Sequence, residues 1–140
     1  IQINSDRKGI DINNCDCNGI FFQDNVTDVT IKDSIIRDSL YEGIYIGFNN
    51  SKINVLNNEF YDIARDREEM EDNWFYCIAV HEESTDILIE DNYIRDNFAV
   101  GIRLIEAEAE IKNNKIINNE YSGRYLAENS SASIKSSNRK

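Results

Sequence analysis

Proline is absent from the 140-residue sequence, histidine and methionine each occur once, and only 15 Lys and Arg residues stand against 26 Asp and Glu. The formal charge of −11 repels nucleic acid phosphates and anionic lipid, so we predict neither as a partner. The chain also lacks an apolar run of about 18 residues, so we predict no membrane span. No basic region followed by an apolar stretch opens it, so we predict no signal peptide within these 140 residues. Its length predicts one domain, residues 1–140.

Cysteine is scarce as well, and it does not occur in a metal-binding pattern. The three cysteines include no Cys-x-x-Cys pair, and a single histidine removes most zinc arrangements, so we predict no structural metal site. Cys15 and Cys17 could bridge each other or Cys77 in an oxidising compartment. We favour the other interpretation, in which they pack as small buried hydrophobes.

An internal repeat is the main feature that the sequence does have. Four segments read apolar, any, apolar, any, and then two residues chosen from Asn, Asp and Ser: 29–34, 53–58, 87–92 and 109–114. Segment 10–15 begins the series, and segment 132–137 continues it with a weaker first position. Successive copies are separated by about 19, 24, 34, 22 and 23 residues, as expected for one turn of a three-sided β-solenoid.

A second strand closes several of these repeats. It is seen in segments 19–22, 43–46 and 101–104, with 77–80 and 123–126 as variants. An amphipathic helix would need apolar residues at i, i+3, i+4 and i+7, and no such run persists. A β-sandwich would need strands joined by tight hairpin turns, whereas here the Asn pairs recur at one phase of the repeat. The repeat therefore favours the solenoid.

The repeat also predicts which side chains point inward, because strand residues alternate between two faces. We expect one vertical stack in the core and the next position outside, with Leu56 as its apolar exception. The inward stack is Ile31, Val55, Ile89, Ile111 and Ile134, and the outward residues are Lys32, Leu56, Glu90, Lys112 and Lys135. Asn58, Asn92 and Asn114 are the best candidates for a ladder of amide hydrogen bonds between coils.

The repeat consists of Ile-x-Ile-x-x-Asn followed by Gly-Ile-x-Ile. This pattern resembles the right-handed parallel β-helix repeat of pectate-lyase-like enzymes, alginate lyases, mannuronan epimerases, phage tailspikes and various surface proteins. The resemblance covers residues 10–137 and implies an all-β solenoid of about five coils. Because the chain begins with Ile1 on a strand pattern, we expect it to be a mature form or an excised part of a larger solenoid. Two kinds of partner are compatible with this expectation: further copies of the chain in a homo-oligomer, and flanking coils of a larger solenoid.

One long coil departs from the repeat. Its charged insertion spans residues 64–74, for which a short helix and a solvated loop are equally compatible with the composition. Insertions in solenoids map to loops on one side, which is often the binding side.

The outward positions of the closing strands form a column that could meet a ligand: Phe21, Tyr45, Ala79, Arg103 and Tyr125. Aromatic rings can stack on sugars, and Arg can bind a carboxylate through two hydrogen bonds. The column therefore predicts that the substrate is an acidic polysaccharide and that Phe21 and Tyr125 bind it. The alternative is that exposed strands contain aromatic residues through β-propensity alone.

His81, the single histidine, follows the closing strand of the long coil. We predict that it lies one coil from Gly47 and Ile105 and groups with Tyr45 and Arg103 as catalytic residues. Such a group suits β-elimination of uronates, in which a base takes the C5 proton and Arg neutralises the carboxylate. It resembles the lyases and epimerases in residue types only, since the chain has no Asp-Pro-His string.

The predicted patch should be a positive or neutral island in an acidic molecule, with Arg95 and Lys112 as further substrate-binding residues. We predict no cofactor, although the acidic pairs of the chain, such as Asp91 with Asp96, leave Ca²⁺ open.

Two functions stay open at this point. The first is a carbohydrate-active protein, similar to a polysaccharide lyase or epimerase, and the second is a non-catalytic structural module of a phage tail, adhesin or cell-surface protein. We predict an extracellular, cell-surface or virion location.

Overall fold

The structure, a computed structural model, describes residues 1–65, 75–119, 125–128 and 131–135, the last two ranges by their backbone. The chain winds repeatedly through three parallel sheets, each of which receives one strand per coil, so non-consecutive strands are hydrogen-bonded neighbours. In the described part of the chain two sheets have six strands and one has five, which confirms a three-sided parallel β-helix of about five coils.

Every sheet is built from strands at one phase of the repeat. Sheet A contains β1 (Gln2–Ile3), β4 (Ile20–Phe22), β7 (Ile44–Ile46), β10 (Tyr76–Val80), β13 (Val100–Ile105) and β16 (Tyr125–Glu128). Sheet B contains β2 (Lys8–Asn13), β5 (Thr27–Lys32), β8 (Ser51–Leu56), β11 (Thr85–Glu90), β14 (Glu108–Lys112) and β17 (Ser131–Lys135). Sheet C contains β3 (Asp16–Cys17), β6 (Ile35–Arg37), β9 (Glu59–Tyr61), β12 (Tyr93–Arg95) and β15 (Lys115–Ile117).

The register of sheet B confirms the predicted inward stack. Its pairs run from Ile31 through Val55, Ile89 and Ile111 to Ile134, and the first four side chains are buried. The outward set pairs in the same order, with Lys32 exposed and its described neighbours half-buried. The side chains of the two C-terminal members lie outside the described residues. Burial of the stacked isoleucines is the main contribution to the stability of the fold, at about 25 cal/mol for each Å² of apolar area buried.

At the corners that the structure describes, the chain turns with residues of positive φ, mostly Asn or Asp, which adopt the left-handed conformation more readily than other non-glycine residues. At the corner from sheet B to sheet C these are Asn14, Asp33, Asn57, Asp91 and Asn113. The residue that follows each of them points inward, and there the predicted ladder is confirmed. Nδ2 of Asn58 donates to Oδ1 of Asn92 at 3.1 Å, and Nδ2 of Asn92 donates to Oδ1 of Asn114 at 2.9 Å.

The other two corners contain inward polar side chains that the repeat did not reveal. At the corner from sheet C to sheet A, Nδ2 of Asn97 donates to Oδ1 of Asn119 at 2.9 Å. At the corner from sheet A to sheet B, the backbone N–H of Asn50 donates to Oγ of Ser84 at 3.2 Å. Buried backbone groups that no sheet can satisfy thus find side-chain partners at the corners.

The long insertion enters at the corner before β10, beside sheet A. Its first residues are described: Ala64 is buried, and Nη1 of Arg65 lies 2.9 Å from Oδ1 of Asp38. Residues 66–74, on which the choice between helix and loop depends, lie outside the described residues. Phe75 rejoins the solenoid, where its ring centroid lies 5.5 Å from that of Tyr41.

Candidate functional site

The register of sheet A fixes which residues share its outer face. It pairs Phe21 with Tyr45, Tyr45 with Ala79, and Ala79 with Arg103, as the repeat predicts. Parallel neighbours are about 4.8 Å apart, so this column is continuous across four coils. The column is not exposed to solvent along its whole length, however, because Ala79 is fully buried in an apolar cluster that also contains Tyr76.

The rings of Tyr45 and His81 meet on this face, and we call their surroundings the sheet A face: Phe21, Tyr45, Phe48, His81 and Arg103. The two ring centroids are 4.6 Å apart with planes tilted by 39°. The backbone N–H of His81 donates to the carbonyl of Ile46 at 2.9 Å, which extends the sheet one residue beyond β10 and holds the imidazole beside the tyrosine.

Phe48 is a fourth ring on the sheet A face, and the sequence pattern did not reveal it. Its centroid lies 6.4 Å from that of His81, and 47% of the residue is exposed. Its backbone N–H donates to Oδ1 of Asp24 at 3.3 Å. A Cβ on the preceding Gly47 would lie 2.9 Å from the carbonyl oxygen of Phe22, so glycine allows this turn to approach the previous coil. Phe48 follows its strand, so alternation gave no signal for it.

Arg103 is oriented by Tyr76, another residue that sequence reasoning did not place in the site. Nη1 of Arg103 donates to the tyrosine hydroxyl, and the guanidinium carbon lies 4.8 Å from the ring centroid. Tyr76 itself is buried and packs with Val100 against Ala79. The guanidinium is therefore a half-buried, fixed charge rather than a freely moving one.

Burial and neighbouring charges shift the pKa values of the two contacting rings in opposite directions, and both shifts favour the neutral form. Burial lowers the pKa of His81 below its usual value, and the positive charge of Arg103 lowers it further. Glu82 opposes this shift, with Oε2 lying 3.3 Å from Nδ1 of the imidazole. Burial also raises the pKa of Tyr45, so at neutral pH the imidazole is held neutral and the phenol is held protonated.

A neutral imidazole, which can act as a base, and a protonated phenol, which can act as an acid, thus lie side by side. Groups whose environments move their pKa values apart are the usual components of acid–base chemistry. The neutral imidazole of His81 can accept a proton, and the hydroxyl of Tyr45 can donate one. Arg103 can stabilise an anionic group of a ligand next to them.

The charge of this face differs from the prediction. After burial, the carboxylates of Glu42, Glu82 and Asp24 are the groups that raise the pKa of Tyr45. Burial raises the pKa of Glu42 in turn, which reduces its charge. The expectation of a positive or neutral island is therefore wrong for the part of the face that the structure describes. Alternation did not reveal these carboxylates because all three stand in the turns between strands.

Three of the predicted substrate-binding residues do not join the column. The register pairs Tyr125 with Ile102, an inward position, and it sets Leu126 beside Arg103. A shift of one residue moves a strand position to the opposite face, so the backbone register sets Leu126, and not Tyr125, next to Arg103 in the column. The side chain of Tyr125 lies outside the described residues. Arg95 lies on sheet C and Lys112 on sheet B. Of the predicted binding residues, Phe21 is the one that the register brings to Tyr45.

Arg95 and Lys112, which lie outside the column, each form an ion pair with a carboxylate. Nη2 of Arg95 lies 2.8 Å from Oε1 of Glu59, and Nζ of Lys112 lies 2.8 Å from Oε1 of Glu110. Glu110 also lines a hollow of about 400 Å³ on the outer face of sheet B, together with Asn54, Asp86, Ile87, Leu88, Glu108 and Ala109. That hollow contains none of the predicted catalytic residues.

Within the described ranges, no group of three or more His, Cys, Asp and Glu side chains is placed to hold a metal ion. The same part of the chain contains no helix that is long and apolar enough to cross a membrane.

The parallel sheets, the vertical isoleucine stack and the polar corners define a three-sided parallel β-helix with an aromatic and histidine cluster on one outer face. The family model described as "Right handed beta helix region" matches residues 11–139, so the chain belongs to this family. No curated protein and no solved structure matches the chain.

Proposed function

We propose that this β-helix is a carbohydrate-active protein that binds an acidic polysaccharide on the sheet A face and acts on it as a lyase. The observation that carries the proposal is the ring contact between Tyr45 and His81, whose pKa values are shifted in opposite directions. Titratable groups with shifted pKa values that lie in contact on one outer face are candidates for acid–base chemistry. An extracellular, cell-surface or virion location follows from such a substrate.

The chemistry is β-elimination from a uronate residue of the polysaccharide. Arg103 pairs with the sugar carboxylate, which makes the adjacent C5 proton more acidic. His81 takes that proton, the C4–O bond breaks, and the hydroxyl of Tyr45 protonates the departing glycosidic oxygen. A C4–C5 double bond remains in the product, and exchange with water returns both side chains to their starting protonation states.

The aromatic rings supply the sugar contact in this proposal. Phe48 is about half exposed, and Phe21 lies one coil below Tyr45, so a sugar chain running along the solenoid axis meets successive rings. The carboxylates of Asp24, Glu42 and Glu82 repel a polyanion. Among the described residues of the face, Arg103 can offset this repulsion, so we expect the affinity to be sensitive to its removal.

The experiment uses the purified chain with alginate, pectate and polygalacturonate in separate reactions, followed by the absorbance of unsaturated uronate products. We expect product from at least one polymer and its loss in Arg103→Ala. Because Arg103 packs on the ring of Tyr76, the variant should also lose about 1 kcal/mol of unfolding free energy. Arg37→Ala, which removes a guanidinium from sheet C, is the matched control. Unchanged turnover in Arg103→Ala would contradict the assignment.

A structural module is the second candidate, and the acidic surroundings of Tyr45 favour it. In that case the coils serve as a scaffold in a phage tail, adhesin or cell-surface protein, and the buried ladders account for most of the polar pattern. Absence of both product and measurable binding with all three polymers is the result expected of a scaffold.

A further inference from the structure

The first coil places two cysteines at adjacent inward positions. The backbone N–H of Cys15 donates to Oγ of Ser34 at 3.0 Å, and the N–H of Ser34 donates to Oδ1 of Asn58 at 3.0 Å, so Cys15 occupies the first level of the ladder. Cys17 pairs with Ile36 in sheet C and packs against the core. Positions i and i+2 of an extended segment share a face, so both sulfurs point inward at the same corner.

The fold itself does not require sulfur at either position. In the following coils the ladder position of Cys15 is occupied by serine and then asparagine, and the core position of Cys17 is occupied in the next coil by Ile36. Both cysteines are free and half-exposed, whereas Cys77 is fully buried. Burial and the neighbouring Cys15 thiol raise the pKa of Cys17 to about 12, against a hydrogen bond from the backbone of Gly19 that favours the thiolate.

Asp16 lies between the two cysteines in sequence but not in space. Its Oδ1 and Oδ2 accept hydrogen bonds from Nε and Nη2 of Arg37 at 2.9 and 3.0 Å on the outer face of sheet C. The described residues bring no third His, Cys, Asp or Glu into a metal-holding group with the sulfurs. The corner therefore offers two sulfur ligands without a carboxylate, a donor set that selects soft cations.

We infer that Cys15 and Cys17 form a two-sulfur binding site for a soft monovalent cation such as Cu(I). Binding exchanges the two thiol protons for the metal and leaves its oxidation state unchanged. A disulfide fits less well, because two residues of extended chain span about 6.4–6.8 Å between Cα atoms, at the upper limit for a disulfide. Closing it would disturb the bond from the N–H of Ile35 to the carbonyl of Cys15, which measures 2.8 Å.

The test is an anaerobic titration of the reduced full chain with Cu(I) in competition with a coloured Cu(I) chelator. We expect one Cu(I) per chain and protection of both half-exposed thiols from alkylation, read by mass spectrometry. Cys15→Ser introduces the side chain of the next coil, and Cys17→Val keeps an apolar core residue, so both variants should fold. Each should lower the affinity about a hundredfold or more, since one of two ligands is lost.

Cys77→Ala is the matched control, because that thiol is fully buried in another sheet and should leave Cu(I) affinity unchanged. Circular dichroism of all three variants distinguishes lost ligands from lost structure. Three results would overturn the site: no competition for Cu(I), full affinity in either Cys15→Ser or Cys17→Val, or quantitative formation of a Cys15–Cys17 disulfide on mild treatment with a small disulfide. None of these measurements depends on polysaccharide turnover.

Discussion

The outer faces of sheet A and sheet C contain the same residue types, which are tyrosine, arginine and acidic residues. Their ionisable groups nevertheless make different kinds of contact. On sheet C, Nε of Arg95 donates to Oε1 of Glu59 at 2.8 Å, and the guanidinium carbon lies 4.6 Å from the centroid of the Tyr61 ring. On sheet A, the ring of His81 faces that of Tyr45. The first arrangement pairs opposite charges, and the second brings together groups that can exchange protons.

The pKa shifts on the two faces express this difference. Hydrogen bonds that Arg37 and Arg95 donate to carboxylates raise the pKa values of the two guanidinium groups, so these groups are held more firmly in their ordinary charged states. On sheet A, burial lowers the pKa of His81 and raises that of Tyr45, and both changes favour neutral forms. Paired surface charges are typical of a structural face, whereas neutralised groups side by side are typical of a chemical one.

The largest effect is expected from removing the base of the sheet A face. His81→Gln should lower uronate turnover by about 10²–10⁴-fold, because glutamine cannot accept the C5 proton. The matched change on sheet C, Arg95→Gln, should leave turnover nearly unchanged. Initial rates of product absorbance at saturating polymer measure both. Equal losses in the two variants would remove the functional distinction between the faces.

The corner that joins sheet C to sheet A should matter for stability and not for chemistry. Asn97 accepts from the N–H of Ile63 at 3.0 Å and donates to the carbonyl of Phe60 at 3.3 Å and to Oδ1 of Asn119. Asn97→Ala leaves buried groups unsatisfied and should cost about 2–4 kcal/mol of unfolding free energy.

Denaturant unfolding of Asn97→Ala should be compared with Asn18→Ala, which removes an exposed hydrogen bond to the carbonyl of Arg37. The turnover number of the folded fraction should be the same in both. A cost for Asn97→Ala no larger than that for Asn18→Ala would show that this ladder adds nothing to the fold.

A pH profile tests the protonation states on sheet A. The pKa of His81 lies below its usual 6.5 in the folded chain, so turnover should hold at neutral pH and decline only below pH 6.5, by about tenfold per unit once the imidazole is mostly protonated. The same shift weakens the fold in acid. The unfolded chain takes up the proton from about pH 6.5 downward, and stability falls until the folded imidazole also titrates.

Rates and unfolding free energies of the native chain and His81→Gln between pH 5 and pH 8 measure both effects. The glutamine variant should lose this contribution to the pH dependence of stability. A rate that already declines above pH 6.5 would contradict a lowered pKa.

Most of the fold could be predicted from the sequence, because the signal repeats. Isoleucines at one phase give the core, and the following Asn gives the ladder from Asn58 to Asn114, so each coil repeats the information of the last. Tyr125 shows where periodicity fails. The number of residues in each corner sets the register of the next strand, and a difference of one residue exchanges the inward and outward sets.

The candidate site was predictable only in part, for a related reason. Tyr45, Ala79 and Arg103 were placed correctly because strand alternation and register determine them. Asp24 and Glu82 stand in turns, where alternation does not fix the direction of a side chain. Their charge on the sheet A face is a product of tertiary structure, as is the cover of Tyr76 over Ala79.

The smallest effect is expected on sheet C. Arg37 makes a bidentate contact with Asp16, but 42% of the arginine side chain and 54% of the aspartate side chain are exposed. Solvent screens such a pair, so the effects of Arg37→Ala and Asp16→Ala should be nearly additive in a double-mutant cycle, and any small coupling should decline with added salt. Thermal unfolding at low and high salt measures it. A large coupling that is insensitive to salt would mean that the pair behaves as a buried one. The faces would then no longer differ as proposed, because sheet C would also hold desolvated charge.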